Sequence, residues 1–141
     1  LRYPKVKIFM EQAIAQCREK GYAVTLMNRR RDIPEIVSPN AGIRQFAERQ
    51  AINTPLQGSA ADLMKLAMVN VQQRLDEAQL TSRMIITVHD EIVFDVIPAE
   101  EKQVLKLVCR EMEQAMTLTV PIRVVAKKGL NWLEMEKVSC M

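Results

Sequence analysis

Histidine occurs once in the 141 residues, cysteine three times and glycine four times, and aromatic residues make up only 4%. The single histidine, His89, excludes a His-cluster metal site. Cys17, Cys109 and Cys140 are odd in number, far apart and never in a C-x-x-C pair. That argues against a disulfide framework or a cysteine zinc site, and for a reducing compartment such as the cytoplasm. No apolar run approaches the roughly 20 residues a bilayer span needs. The first ten residues, LRYPKVKIFM, are half polar and lack the small-residue cleavage site of a signal peptide. No membrane partner is therefore expected.

What is present suits one folded domain: 48% of residues are hydrophobic, too many for a disordered chain. The chain opens on Leu1 rather than Met, so it is expected to be part of something longer. Charge is uneven. Residues 1–60 carry ten Lys/Arg against five Asp/Glu, and residues 61–141 ten against twelve, within a net charge of +3. The basic half holds the run Arg29, Arg30, Arg31, which suits an anionic partner but is a weak signal for nucleic acid by itself.

Periodicity places the elements. Val6, Phe9, Met10, Ala13, Ile14 and Cys17 recur at helical spacing over residues 3–20, and Gly21 is a suitable stop. A short strand is expected over Tyr22 to Met27, then a basic loop ending near Pro34 and a short helix from Ile43 to Ala51. Thr54 reads as the N-cap of a long helix, with Pro55 at its first position. Its apolar face runs through Leu56, Ala60, Leu63, Met64, Ala67, Met68, Val71 and Leu75. Met84 to Val88 and Ile92 to Ile97 then read as the strands of a hairpin. A helix from Pro98 to Met116 and a third strand over Pro121 to Ala126 complete an α+β layer.

Two constellations could carry chemistry. His89, Asp90 and Glu91 interrupt two strongly apolar segments. The bland reading is a solvated turn; the sharp one is a carboxylate pair holding Mg²⁺, a hard cation that takes one or two carboxylates plus phosphate oxygens. Side chains alternate faces on a strand, so only a tight turn could bring Asp90 and Glu91 to one site. Upstream, Arg49, Asn53 and Gln57 are hydrogen-bond donors at four-residue intervals, suited to base edges or sugar–phosphate oxygens. Gly58 and Ser59 beside them lack bulk and would admit a large partner to the backbone. The competing reading is a capped helix start with ordinary surface polars.

The stretch ERQAINTPLQGSAADLMKLAM (Glu48 to Met68), followed by VHDEIVFDV (Val88 to Val96), resembles the C-terminal fingers and palm segment of the bacterial-type polymerase I family, the A family of DNA polymerases. The first matches the form ER-x-A-x-N-x-P-x-QG-S/T-A-A-D-x-x-K-x-A-M, the second the palm motif V-H-D-E. The spacing between them, the RRR-x-L/I-P stretch (Arg29 to Pro34) and the terminal G-x-N-W (Gly129 to Trp132) agree as well.

The resemblance implies the fold: a mainly helical fingers portion over residues 1–52 and the C-terminal half of the palm over 53–141, with an antiparallel sheet of a hairpin plus a further strand packed by long helices. It also implies roles. Asp90 would ligate the two catalytic Mg²⁺ ions with Glu91 in support, and His89 would contact the primer end. Arg49, Asn53 and Gln57 would test Watson–Crick shape in the minor groove, whose acceptors are nearly sequence-independent. Arg29, Arg30 and Arg31 would lie near template phosphates. Asn28 stands where a Gly is common, and Asp32 where an aromatic or aliphatic residue is common. The partners would be primer-template DNA, a deoxynucleoside triphosphate and the missing N-terminal part of the polymerase, in the bacterial cytosol and nucleoid.

The family's other metal-binding aspartate, in D-Y-S-x-I-E-x-R, and its nucleotide-binding helix, R-x-x-x-K-x-x-x-F-G-x-x-Y-G, do not occur in the chain. A two-metal site needs ligands bridging ions roughly 3.5–4 Å apart. The segment therefore reads as half an active site, inactive alone, with an open sheet edge inviting self-association. The alternative is a non-catalytic nucleic-acid-binding or interaction module with a palm-like fold. A metal-dependent phosphohydrolase built on Asp90 and Glu91 is more distant, because no further ligand cluster is evident.

Overall fold

Gly21 sets the first boundary. It closes helix α1 (Pro4–Lys20) in the left-handed conformation, φ 77°, and its N–H caps the Cys17 carbonyl at 2.8 Å. The computed structural model describes residues 2–140 and divides into two units, one ending at Asp62 and the other beginning at Leu63. Among the described residues no helix is long and apolar enough to cross a membrane.

In the first unit, Cys17 of α1 is buried and Phe9, Ala13 and Ile14 are half-buried, while Val6 and Met10 stay exposed. Burial also pushes the Cys17 thiol up. Strand β1 (Tyr22–Val24) pairs antiparallel with β2 (Arg30–Asp32), so part of the expected basic loop is in fact a strand. A 3₁₀ turn (Pro34–Val37) leads to α2 (Ala41–Asn53), whose start is fixed by Asn40 Oδ1 accepting from the Gly42 and Ile43 N–H groups. Cys17, Ala23, Ile33, Ile36, Ala47 and Ala51 form the core of this unit.

The long helix does not start at Thr54. Thr54 has helical dihedrals and donates its hydroxyl to the Gln50 carbonyl at 2.7 Å. Helix α2 continues through a π-helical turn (Thr54–Gly58) into α3 (Ser59–Glu77). Pro55 has no N–H to bond back to the preceding turn, and the wider turn accommodates that loss without ending the helix. The same widening leaves Leu56 exposed, off the apolar face to which helical spacing assigned it.

In the second unit, Val71 and Leu75 of α3 pack with Val104 and Val108 of α4 (Glu101–Glu113), flanked by Phe94 and Val96. The hairpin of β3 (Arg83–Val88) and β4 (Glu91–Asp95) is antiparallel, with a bulge between Met84 and Ile86. The third strand falls later than Pro121–Ala126. Strand β5 (Ala126–Lys128) pairs with β6 (Glu136–Val138) in a sheet of its own rather than extending the hairpin. Cys109 and Cys140 are joined by a disulfide, against the expectation from their spacing. Thirty-one residues apart in sequence, they meet because the chain after β6 returns to α4, with Cα atoms 5.8 Å apart.

Glu100 locks the base of the hairpin. Its carboxylate accepts from the N–H and hydroxyl groups of Thr81 and Ser82 at 2.6–3.1 Å, and Ser82 Oγ accepts in turn from the Ile97 N–H at 3.0 Å. The Ser82 hydroxyl and then the Thr81 and Ser82 N–H groups hold its pKa down from 4.5 to about 2. A depressed carboxyl pKa contributes stability that is complete above the unfolded value and is lost as pH falls through the folded one. The stability difference between wild type and Glu100→Gln is expected to shrink between pH 4.5 and 2. Urea unfolding at stepped pH measures it; a difference that stays constant across that window would show that the ionised carboxylate does not hold the hairpin.

A candidate nucleic-acid interface

The first unit brings two of the candidate groups to one cavity. A cavity of about 80 Å³ is lined by Arg29, Arg30 and Arg31 on one side and by Asn53, Gln57 and Gly58 on the other. Asn53 ends α2 and Gln57 lies on the π turn, both exposed, so their amides face solvent at the cavity. Arg49, one turn earlier on α2, is exposed with its guanidinium 5.7 Å from the Phe46 ring centre.

The three arginines are not equivalent. Arg29 donates Nε to Asp62 Oδ1 at 2.7 Å and Nη2 to the Gly58 carbonyl at 3.1 Å. Arg30 lies 4.0 Å over the Tyr22 ring and pairs with Asp32 at 2.6 Å. Arg31 has no hydrogen bond or ion pair among the described residues. Asp32 thus offsets one charge of the run. Asn28, for its part, adopts the left-handed φ of 59° that a Gly would take, and its N–H closes the turn onto the Thr25 carbonyl at 2.9 Å. Asn is among the few residues that tolerate this conformation, so the turn survives the substitution.

Gly58 and Ser59 do not open the backbone to a partner. A Cβ on Gly58 would lie 2.6 Å from Thr25 Cγ2, so the vacant space is taken by the chain itself. Ser59 is buried: its hydroxyl accepts from the Leu26 N–H at 2.9 Å and donates to the Pro55 carbonyl. Of the buried polar residues here, Thr25 and Asp62 were not among the sequence candidates, and Ser59 was expected to admit a partner rather than to hold the chain. One signal for Asp62 existed: it is the sole acid between Glu48 and Asp76.

In the second unit, His89 and Asp90 form a two-residue turn between Val88 and Glu91, which are ladder partners. His89 takes φ 54°, and all three titratable residues are exposed at the hairpin tip. The turn supplies what a strand alone could not, placing Asp90 and Glu91 together at one end of the hairpin. Neither carboxylate makes a hydrogen bond or ion pair with a described residue. Hard, solvated carboxylate oxygens of this kind suit a divalent cation such as Mg²⁺. Yet the described residues contain no group of three or more His, Cys, Asp or Glu side chains able to hold a metal. The donor set fits part of a metal site.

Comparison with known proteins places the chain in a family. The sequence model for DNA polymerase family A matches residues 1–134. A DNA polymerase I from Caldicellulosiruptor bescii is 50% identical over 134 residues, covering 94% of this chain and 16% of the relative. One from Bacillus subtilis is 48% identical over 130 residues, covering 92% of this chain and 15% of the relative. The chain therefore spans less than a fifth of the length of these relatives. Among solved structures, the POL domain of Pol1 from M. smegmatis, in complex with DNA primer-template and dNTP, superposes with a TM-score of 0.80 at 43% identity. The match covers 82% of this chain and 20% of that one.

Proposed function

Because the chain belongs to DNA polymerase family A, we propose that it forms part of the active site of a DNA-directed DNA polymerase. Residues 1–52 make the C-terminal part of the fingers and 53–141 the C-terminal half of the palm. The intact enzyme carries out template-directed extension of a primer 3′-hydroxyl by a deoxynucleoside triphosphate, in the bacterial cytosol. The observation that carries the reading is the pairing of exposed amide donors, Asn53 and Gln57, with a basic wall in one cavity.

Asn53, Gln57 and Arg49 address minor-groove acceptors near the primer terminus. These acceptors occupy similar positions for every Watson–Crick pair, so such donors test shape without reading sequence. The basic run lies toward template phosphates, with Arg31 in no ion pair among the described residues. His89, at the hairpin tip, contacts the primer end. Asp90 and Glu91 would hold Mg²⁺, together with an aspartate from outside this chain. When bound, that ion supplies Lewis-acid activation and charge neutralisation at the reacting phosphate. Both β3 and β4 have an open outer edge among the described residues, so the chain by itself is expected to self-associate.

In the intact polymerase, Gln57→Ala should slow addition to a matched primer terminus by about tenfold, the worth of one good hydrogen bond in the transition state. The slowing should be equal for all four terminal pairs. Single-nucleotide incorporation on four primer-templates measures it, and a loss confined to one base pair would count against shape testing.

A further inference from the structure

We propose that Arg29 and Asp62 are positioning residues that hold the π turn in the geometry presenting Asn53 and Gln57. In this role Arg29 works within the protein and not on template phosphate. The inference rests on the reading of Asn53 and Gln57 as primer-terminus sensors.

The clamp is visible atom by atom. Asp62 sits on the first turn of α3 with 6% of its surface exposed, and accepts Arg29 Nε at 2.7 Å. The same guanidinium donates Nη2 to the carbonyl of Gly58, the last residue of the π turn and the neighbour of Gln57. One planar side chain thereby ties the β1–β2 turn to two successive helical turns, a fork geometry that lysine's point charge does not reproduce. Behind it, Thr25 Oγ1 accepts from the Arg29 N–H at 3.1 Å, and Ser59 Oγ bridges the Leu26 N–H and the Pro55 carbonyl. Thr25 also fills the space a Cβ on Gly58 would need.

Such fixing matters because a π turn is a rarely populated form of helix that closes on the fifth residue instead of the fourth. Any relaxation toward α geometry rotates Gln57 about the axis relative to Asn53. Two amides that must meet acceptors on one base pair lose their common aim if the turn between them relaxes. Asp62 is the diagnostic partner, since a carboxylate has no business contacting phosphate. If Arg29 served DNA directly, Asp62 would only weaken it.

The test compares Arg29→Gln, Asp62→Asn and Gln57→Ala in the intact polymerase, each alone and in pairs, with folding verified by thermal unfolding. Single-nucleotide incorporation and the salt dependence of DNA affinity are measured for each. Arg29→Gln and Asp62→Asn are each expected to slow matched incorporation by about tenfold, as Gln57→Ala does, and pairing either with Gln57→Ala should add less than about twofold. The slope of log affinity against log salt should stay at the wild-type value. Gly58→Ala, which drives a methyl into Thr25 Cγ2, should give the same defect. Thr25→Ser, which removes that methyl but keeps the hydroxyl, should rescue Gly58→Ala; this pair keeps the proposal testable if Arg29→Gln fails to fold. A silent Asp62→Asn, with Arg29→Gln lowering the salt slope by about one, would make Arg29 a phosphate contact and overturn the clamp. Full incorporation by both clamp variants while Gln57→Ala is slow would overturn the clamp but leave the sensor reading standing. A silent Gln57→Ala overturns both.

Discussion

Asp90→Ala in the intact polymerase is expected to slow the chemical step by about 10³-fold or more while leaving primer-template affinity within about twofold. The loss corresponds to at least ~4 kcal/mol of transition-state stabilisation, the scale on which removing preorganised charge at a reacting centre is felt. Affinity should hold for an electrostatic reason. Asp90 is an exposed carboxylate at a hairpin tip, repelling DNA phosphates, so its removal costs no attractive contact with the backbone. The turn itself should tolerate alanine, because the left-handed φ belongs to His89 and not to Asp90. Glu91→Ala should be milder, as its proposed role is to support Asp90.

The second large effect is an absence of activity. The 141-residue chain alone is expected to show no Mg²⁺-dependent primer extension above background, even where circular dichroism shows its helices formed. Two carboxylates at the hairpin tip, with no third acidic, histidine or cysteine ligand gathered among the described residues, do not complete a two-metal centre. The clamp for the incoming triphosphate is missing as well, since the family's nucleotide-binding helix motif is absent from the sequence. Extension that co-purifies with the chain and vanishes on Asp90→Ala would show that these residues suffice.

How much of this was legible in sequence depended on how local each signal is. Gly21 ends a helix through its own backbone freedom, and the hairpin around His89 and Asp90 follows from two β-branched apolar runs separated by three polar residues, so both were readable. The π turn was not. Thr54-Pro55 reads as a helix start by every local rule, and only the continuation from α2 shows Thr54 bonding backward to Gln50. Leu56 leaves the expected apolar face for the same reason, because helical spacing carries no mark of a widened turn. The third strand slipped to Ala126–Lys128 because its register depends on a partner, Glu136–Val138, that no local pattern announces. The Cys109–Cys140 bridge likewise depends on where the chain returns in space.

At the candidate site the divide has the same cause. Residues that meet solvent through a recognisable pattern, Asn53, Gln57, Asp90 and Glu91, are legible in the sequence. The holding parts of Ser59 and Asp62 depend on hydrogen bonds across more than thirty positions, and that of Thr25 on its packing against Gly58, none of which a local pattern announces. The arginine run shows both sides. Its charge was obvious, but the division of labour among Arg29, Arg30 and Arg31 is a property of the fold.

The most direct measurement is single-turnover nucleotide incorporation from pre-bound primer-template under saturating nucleotide, with wild type and Asp90→Ala side by side. If the hairpin tip belongs to the catalytic centre, the bound Asp90→Ala complex forms normally and its incorporation rate falls by about 10³-fold or more. Pre-bound complexes of the variant that turn over at the wild-type rate, with affinity alone reduced, would contradict the placement of this hairpin in a polymerase active site.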